Sequence, residues 1–224
     1  DETKNNYLMG IVYLADKMGV SVVDNTTGDF LVTEVSTDRA LFDEINKFSP
    51  AEVICNDAFS MSGISLEDLK DRYHFTVSTL DSHFFQDESC RKLLREHFKV
   101  GSLEGLGLGD YDCGVIAAGA VLQYLYETQK STLDHLTTIV PYATGNYMVL
   151  DSSTRRNLEL LETMREKQKR GSLLWVLDKT RTAMGARLLR AWIEQPLIRK
   201  EEILKRQNAI EELNLNYISR EELG

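Results

Sequence analysis

Hydrophobic residues are concentrated in short runs over the first 35 positions of the chain. Residues 7–15 form a continuous apolar run of strand length, which is typical of a central strand buried on both faces. Val20 and Val22 mark a second strand after a turn predicted at Lys17–Gly19, and Phe30–Val35 alternates in polarity as a third strand. The opening pattern therefore predicts an antiparallel meander of three strands.

Helical and strand patterns alternate between residues 37 and 98. Thr37 or Asp38 can cap a helix with apolar residues on one face, and Pro50 ends that helix. The elements that follow are predicted in order as strand, helix, strand and helix: Val53–Cys55, a segment from Ser65, His74–Leu80 and Asp87–Phe98. This order predicts an α/β domain with a mixed sheet, antiparallel on one side and parallel with helical crossovers on the other.

A second long helix follows a glycine-rich connection. Gly101–Gly109 lacks the lysine and spacing of a phosphate-binding loop, so we interpret it as a connection. Asp110 is a candidate cap for a helix over Cys113–Thr128, in which Ala118 and Gly119 lie on an apolar stripe. Small residues on that stripe would let the helix approach its neighbour closely.

The pattern changes after residue 130. Extended segments are expected at residues 133–140 and 146–150, interrupted by Pro141 and Gly145. From Ser152 onward the pattern is helical, and its repeated leucines, with Trp192, predict core faces. We therefore divide the chain into an α/β domain over residues 1–130 and a linker with an all-α domain over residues 131–224.

Charge and composition limit the range of functions. The net charge is −9, and residues 1–130 carry 11 Lys and Arg against 22 Asp and Glu, so this part should repel nucleic acid. The three cysteines and four histidines show no disulfide, zinc or catalytic spacing, and no apolar run reaches the length of a membrane span. We expect a cytoplasmic protein with reduced thiols and no bound metal or cofactor in this chain.

Three carboxylates leave a nuclease as the alternative hypothesis. Asp16, Asp57 and Asp110 each stand at a predicted strand end or helix start. Carboxylates from adjacent strand ends can hold the two metal ions of a two-metal nuclease. Asp residues also cap turns at such positions, so a structural role is the competing interpretation.

Two short stretches are candidates for binding. Phe84, Phe85 and Gln86 lie in a predicted loop, where the aromatic residues either pack beneath the loop or form an exposed edge that docks a partner. Lys167, Lys169 and Arg170 belong to a basic run over residues 165–170. This run is either a solvated helix end or a contact to the DNA backbone.

The central part of the chain carries a resemblance to a known family. The residues concerned are LDSSTRRNLEL at 150–160, GSLLWVLD at 171–178, TAMGARLL at 182–189 and WIEQPL at 192–197. Shorter matches occur at Thr27–Phe30, Pro50–Glu52 and Ala117–Tyr124. In this order and spacing the blocks resemble the bacterial MutS family of DNA mismatch-repair proteins.

The resemblance implies a fold and a role. It implies that residues 1–130 are a connector domain with an RNase H-like fold, and that the rest is the beginning of the helical core domain. The family's ATPase domain and mismatch-reading domain have no counterpart here, so we expect a non-catalytic segment of a longer protein. Phe42-Asp43-Glu44 spells the mismatch-reading Phe-x-Glu pattern, but it lies within a predicted helix whose apolar stripe includes Phe42.

Partners and cofactors follow from the same resemblance. It implies docking of MutL, for which Phe84, Phe85 and Gln86 are the candidates. It also implies ATP, Mg²⁺, mismatched duplex DNA and a homodimer for the full-length protein. For the segment alone we expect a monomer with weak or no affinity for DNA.

Overall fold

The computed structural model describes residues 6–129, 132–145, 147–148, 150 and 152–216. These residues form two compact units, one up to Thr144 and the other from Gly145 onward. The first is built on a mixed sheet with helices on both faces, and the second is helical. The predicted fold class, an α/β domain followed by a helical part, is confirmed.

The predicted meander is present as β1 (Tyr7–Leu14), β2 (Lys17–Asp24) and β3 (Asp29–Val35), paired antiparallel in sequence order. The turn expected at Lys17–Gly19 is wrong, because those residues belong to β2. The chain instead turns at Ala15 and Asp16, whose φ angles of 45° and 68° suit a two-residue hairpin.

Parallel strands complete the sheet on both sides of the meander. Strands β4 (Glu52–Cys55) and β5 (Thr76–Thr79) lie beside β1, and the short β6 (Val140–Pro141) lies beside β3. The strand order is β5-β4-β1-β2-β3-β6. This is the RNase H-like arrangement that the family resemblance implied, with one short strand added at its edge.

Helices cover both faces of the sheet. Their bounds are α1 Asp38–Phe48, α2 Asp57–Met61, α3 Glu67–Tyr73, α4 Asp87–Phe98 and α5 Cys113–Thr128, with 3₁₀ turns at Ser82–Phe85 and Leu103–Leu106. The Thr37 hydroxyl accepts a hydrogen bond from the amide of Ala40 at 3.2 Å, which confirms the predicted cap. Asp110 does not cap α5, since Asp112 occupies the cap position without a side-chain bond.

Each face of the sheet has its own hydrophobic core. One core gathers α1 and α3 against residues such as Met9, Ile11 and Val20, and the other gathers α4 and α5 against Leu8, Val23 and Val32. The predicted small-residue stripe of α5 is confirmed. A Cβ on Gly119 would stand 2.6 Å from the Cα of Cys90, so this glycine is needed for the close approach of α4 and α5.

The first unit continues beyond the boundary proposed at residue 130. Leu133, Leu136 and Ile139 are buried in the core beneath α5, and β6 pairs with β3. Sequence pattern did not reveal this attachment because the segment has no regular period. Burial of its three apolar side chains is what binds it to the unit.

The second unit contains α6 (Ser152–Asn157), α7 (Leu173–Leu177), α8 (Ala183–Glu194) and α9 (Lys200–Leu215). Of the extended segment predicted at 146–150, Asn146 and Val149 lie outside the described residues, whereas Tyr147 forms a β-bridge with Leu197.

Residues 158–172 are not helical, so the helical pattern expected from Ser152 onward does not hold for this segment. Glu159 and Lys167 adopt φ angles of 48° and 50°, which a helix does not allow. The amides of Leu173 and Leu174 bond to the carbonyls of Glu159 and Leu160 and close a loop. The expected core faces are also only partly correct: Leu174 is buried, but Leu173, Leu177 and Leu188 are about half exposed.

Candidate partner-docking surface

The turn between β5 and α4 holds the three predicted docking residues. Phe84 is buried, with its ring centroid 6.5 Å from that of Tyr124 in α5. Phe85 is partly buried against Val12, Cys90 and neighbouring residues of α5. Gln86 is exposed, and its amide donates to the carbonyl of Ser82 at 3.3 Å. The aromatic pair therefore anchors the turn, and Gln86 faces solvent.

The thiol of Cys90 bonds to the backbone of this turn and of α5. This thiol, in the first part of α4, donates to the carbonyl oxygens of Phe84 at 3.2 Å and Ile116 at 3.6 Å. Burial raises the pKa of the Cys90 thiol to about 12, so the proton that makes these bonds is retained at neutral pH. Hydrogen bonds thus join the turn to both α4 and α5.

A groove of about 640 Å³ adjoins the turn and runs between α4 and α5. Its lining is mixed in charge and consists of Ser89, Lys92, Leu93, Glu96, His97, Gln123, Tyr126 and Glu127. His83 of the turn lies 3.9 Å from the carboxylate of Glu127, which connects the two features. Tyr126 is 47% exposed, an accessible aromatic side chain of the kind that anchors interfaces.

His97 lines the groove and bridges α5 to the segment that follows it. Its Nε2 lies 2.7 Å from the carbonyl oxygen of Leu136, which only accepts, so Nε2 carries a hydrogen. In the neutral imidazole, Nδ1 then accepts from the hydroxyl of Tyr126 at 2.6 Å. Partial burial, together with the nearby Asp134, raises the pKa of Tyr126, which keeps that hydroxyl protonated.

The three basic candidates of the second unit lie in the loop over residues 158–172, not at a helix end. Among the described residues, Lys169 alone of the three forms an ion pair, at 2.5 Å from Asp178. The hydrogen bond from Lys169, followed by those from Thr180, lowers the pKa of Asp178 to about 2. Lys167 and Arg170 are exposed, so these two of the three candidates remain available to a ligand.

The carboxylates of the nuclease alternative are not brought together. Asp16 lies in the hairpin turn after β1, Asp57 begins α2, and Asp110 lies in the loop before α5. Within the described residues, no group of three or more His, Cys, Asp or Glu side chains is placed to hold a metal ion. The structure therefore does not support the two-metal site that this alternative requires.

The glycine-rich stretch does not fit a nucleotide. Leu103 and Leu108 are buried in the core, and the side chain of Glu104 lies against Gly109. The carboxylate of Glu104 would repel the phosphate groups of a nucleotide.

A buried polar cluster was missed by the sequence reasoning. Glu44 and Lys47 of α1 are nearly buried, and Tyr142, which follows β6, donates its hydroxyl to Glu44. Glu44 is the last residue of the Phe-x-Glu pattern, which does lie in α1 as predicted. The only available signal was a Glu and a Lys three residues apart, which is ordinary on any exposed helix.

Membrane insertion is not indicated by the helices. None of them, within the described part of the chain, combines the length and the hydropathy that a membrane crossing requires.

The chain thus comprises an RNase H-like sheet unit followed by a helical unit. Two family models match it. The model of MutS domain II covers residues 6–137, and the model of MutS domain III covers residues 153–224. The chain therefore belongs to the MutS family.

Curated relatives extend this result along the whole chain. It is similar to proteins named DNA mismatch repair protein MutS from Lachnoclostridium phytofermentans (61% identity over 223 residues), Ruminiclostridium cellulolyticum (46% over 225) and Clostridium tetani (43% over 225). These matches cover 99 or 100% of the chain but only 24 or 25% of the relatives. The chain spans about a quarter of the length of the curated relatives that it matches.

Proposed function

We propose that this chain couples the mismatch-binding and ATPase regions of a DNA mismatch-recognition protein and has no catalytic site of its own. The observation that supports this most directly is the division of the family matches, with domain II on the sheet unit and domain III on the helical unit. A segment that joins two domains is where the movement of one is passed to the next.

The remaining properties of the intact protein follow from this role. ATP and Mg²⁺ would be bound outside the chain, and mismatched duplex DNA would be held only in the full-length context. The full-length protein would be a cytoplasmic homodimer, and the chain alone a monomer. Size-exclusion chromatography with light scattering tests the last point, for which a mass near 25.5 kDa is expected.

We further propose that the turn over residues 82–86 and the adjoining groove between α4 and α5 form a docking face for MutL. Gln86 and Tyr126 are exposed, and the exposed carboxylate of Glu127 favours a partner with a basic side chain. Phe84 would support the face from within. It would not itself contact MutL, because it is buried.

Binding of labelled MutL to the chain tests this face. Gln86→Arg and Glu127→Arg place new positive charge on exposed positions, and Gln207→Arg in α9 is the matched control. We expect the first two changes to weaken binding about tenfold or more, as loss of complementary charge at an interface does. Equal affinity for all three variants, or no saturable binding by the unmodified chain, would contradict the proposal.

A weaker DNA contact is proposed at Lys167, Lys169 and Arg170. Because Lys169 is paired with Asp178, Lys167 and Arg170 would carry the contact to the DNA backbone in the intact protein. In the intact protein, replacing Lys167 or Arg170 by Glu should reduce the slope of the logarithm of the DNA-binding constant against the logarithm of the salt concentration. The reduction should be about 0.9 for every phosphate that the variant no longer neutralises. For the chain alone we expect weak binding, since its net charge is −9. Submicromolar duplex affinity at moderate salt would refute that expectation.

A further inference from the structure

The last part of the first unit wraps around the edge of the sheet. Leu133, Leu136 and Ile139 belong to the core on the α5 face, whereas Tyr142 packs against the core on the α1 face. Between them, β6 runs beside the outer strand of the meander, β3. Residues 140–144 are here called the exit segment. Its attachment to the α1 face depends on the contacts of Tyr142.

Backbone pairing attaches the exit segment only weakly. Strand β6 has two residues, and one of them is Pro141, which has no amide hydrogen to donate. Val140 is 49% exposed and contributes little burial. The amide of Tyr142 donates to the carbonyl of Val32 at 3.0 Å, and its carbonyl accepts from the hydroxyl of Thr33 at 2.7 Å.

The side chain of Tyr142 enters a cluster that is unusual in being both buried and charged. The carboxylate of Glu44 accepts the Tyr142 hydroxyl and lies 3.4 Å from the ammonium of Lys47, whose side chain is 11% exposed. The same ammonium lies 4.3 Å from the centroid of the Tyr142 ring. Burial lowers the pKa of Lys47 more than the nearby Glu44 raises it, so the loss of hydration outweighs the attraction of the carboxylate.

Such a cluster contributes little to net stability. A buried ion pair is often no more stabilising than apolar residues of the same volume, yet removing one of its partners costs much more. The cluster therefore contributes specificity: its charged groups are satisfied only when a hydrogen-bonding partner occupies one position. Here that partner is the hydroxyl of Tyr142, which comes from a segment whose strand pairing is only two residues long.

We propose that Glu44 and Lys47 form a clamp for the exit segment, and that the hydroxyl of Tyr142 is the group that keeps the clamp closed. With the hydroxyl bound, residues 140–144 stay on the sheet. Without it, they detach locally while the rest of the unit remains folded. Use of this clamp in coupling rests on the proposed function, but the clamp itself is a property of the first unit.

Hydrogen exchange measured by NMR on the full chain tests the clamp. Tyr142→Phe removes only the hydroxyl, and we expect the amide of residue 142 to exchange about 10- to 100-fold faster, the ratio for losing a hydrogen bond to a charged group. Tyr124→Phe is the matched control, because Tyr124 donates to Glu52 at 2.6 Å on the opposite face of the sheet. It should leave exchange at residues 140–144 unchanged.

Four outcomes distinguish a clamp from ordinary packing. Faster exchange confined to the exit segment in Tyr142→Phe, with β1 and β2 amides unchanged, supports the clamp. Equal acceleration throughout the unit, or the same loosening in Tyr124→Phe, would overturn it. Thr33→Val removes only a neutral bond to the carbonyl of Tyr142, and a larger effect there than in Tyr142→Phe would also overturn it. These readouts involve no MutL, so they can fail independently of the docking proposal.

Discussion

Gly19 is the position at which a single methyl group should do most damage to the first unit. It lies in β2 against the beginning of α5, and a Cβ added there would stand 2.0 Å from the carbonyl oxygen of Cys113 and 2.6 Å from the amide nitrogen of Gly114. Both neighbours are backbone atoms, so no side-chain rotation can relieve the contact.

The size of the effect follows from these distances. Ordinary contacts of a Cβ begin near 3.4 Å, so Gly19→Ala requires β2 and α5 to separate by roughly 1.4 Å. Overpacking that moves backbone costs about 1–3 kcal/mol or more, and replacing a strand glycine returns about 0.5–1 kcal/mol. We expect a net loss of about 2 kcal/mol and a fall in melting temperature of about 5–10 °C.

The chain offers an internal control for this measurement. Both tryptophans, Trp175 and Trp192, belong to the second unit, so tryptophan fluorescence follows that unit, and exchange of β1 and β2 amides follows the first. Gly101→Ala is the matched variant, since a Cβ there meets nothing within 4 Å, and it should change stability by less than about 0.5 kcal/mol. The reasoning is refuted if Gly19→Ala and Gly101→Ala melt within about 2 °C of each other.

Three further predictions concern stability and reactivity. Thr37→Ala removes the cap of α1 and should lower the free energy of unfolding by about 1 kcal/mol, measured by urea titration; an unchanged midpoint would contradict the cap. The pKa of Asp178 is depressed to about 2, so the stability from its pairing with Lys169 is present above the ordinary Asp pKa and lost as pH falls toward 2. Asp178→Asn should abolish this part of an acid titration of the folded chain. An identical titration for the variant and the unmodified chain would disprove the assignment. Cys90 and Cys113, whose pKa values burial raises to about 12, should resist alkylation at pH 8 until urea is added, and rapid labelling of the folded chain would show that they are accessible.

The elements that the sequence predicted well are those whose signals are local. Thr37 precedes an amphipathic run, and α4 and α5 carry long periodic patterns, so their bounds agree with the structure. Gly19 shows the opposite case. This glycine suggested a turn, but it lies in β2, where α5 packs directly against its backbone. Because α5 begins about 95 residues further along the chain, the neighbouring sequence carries no signal of this contact.

The candidate docking residues show the same limit. Sequence placed Phe84 and Phe85 in a loop and left both orientations open, because an aromatic pair has the same local pattern whether it faces inward or outward. The buried ring of Phe84 packs near Tyr124 in α5, a helix that begins about 30 residues further along the chain. The groove beside it exists only because α4 and α5 pack at the spacing that Gly119 permits.

The sequence by itself determined the family, the three-stranded meander and the long helices, because each is encoded by neighbouring residues or by blocks in a characteristic order. Only the tertiary structure decided that residues 132–144 belong to the first unit and that Glu44, Lys47 and Tyr142 meet. Glu44 and Tyr142 are separated by 98 positions and are joined by one hydrogen bond. Pairings of this kind depend on how the sheet and helices pack, and no local pattern of polarity encodes them.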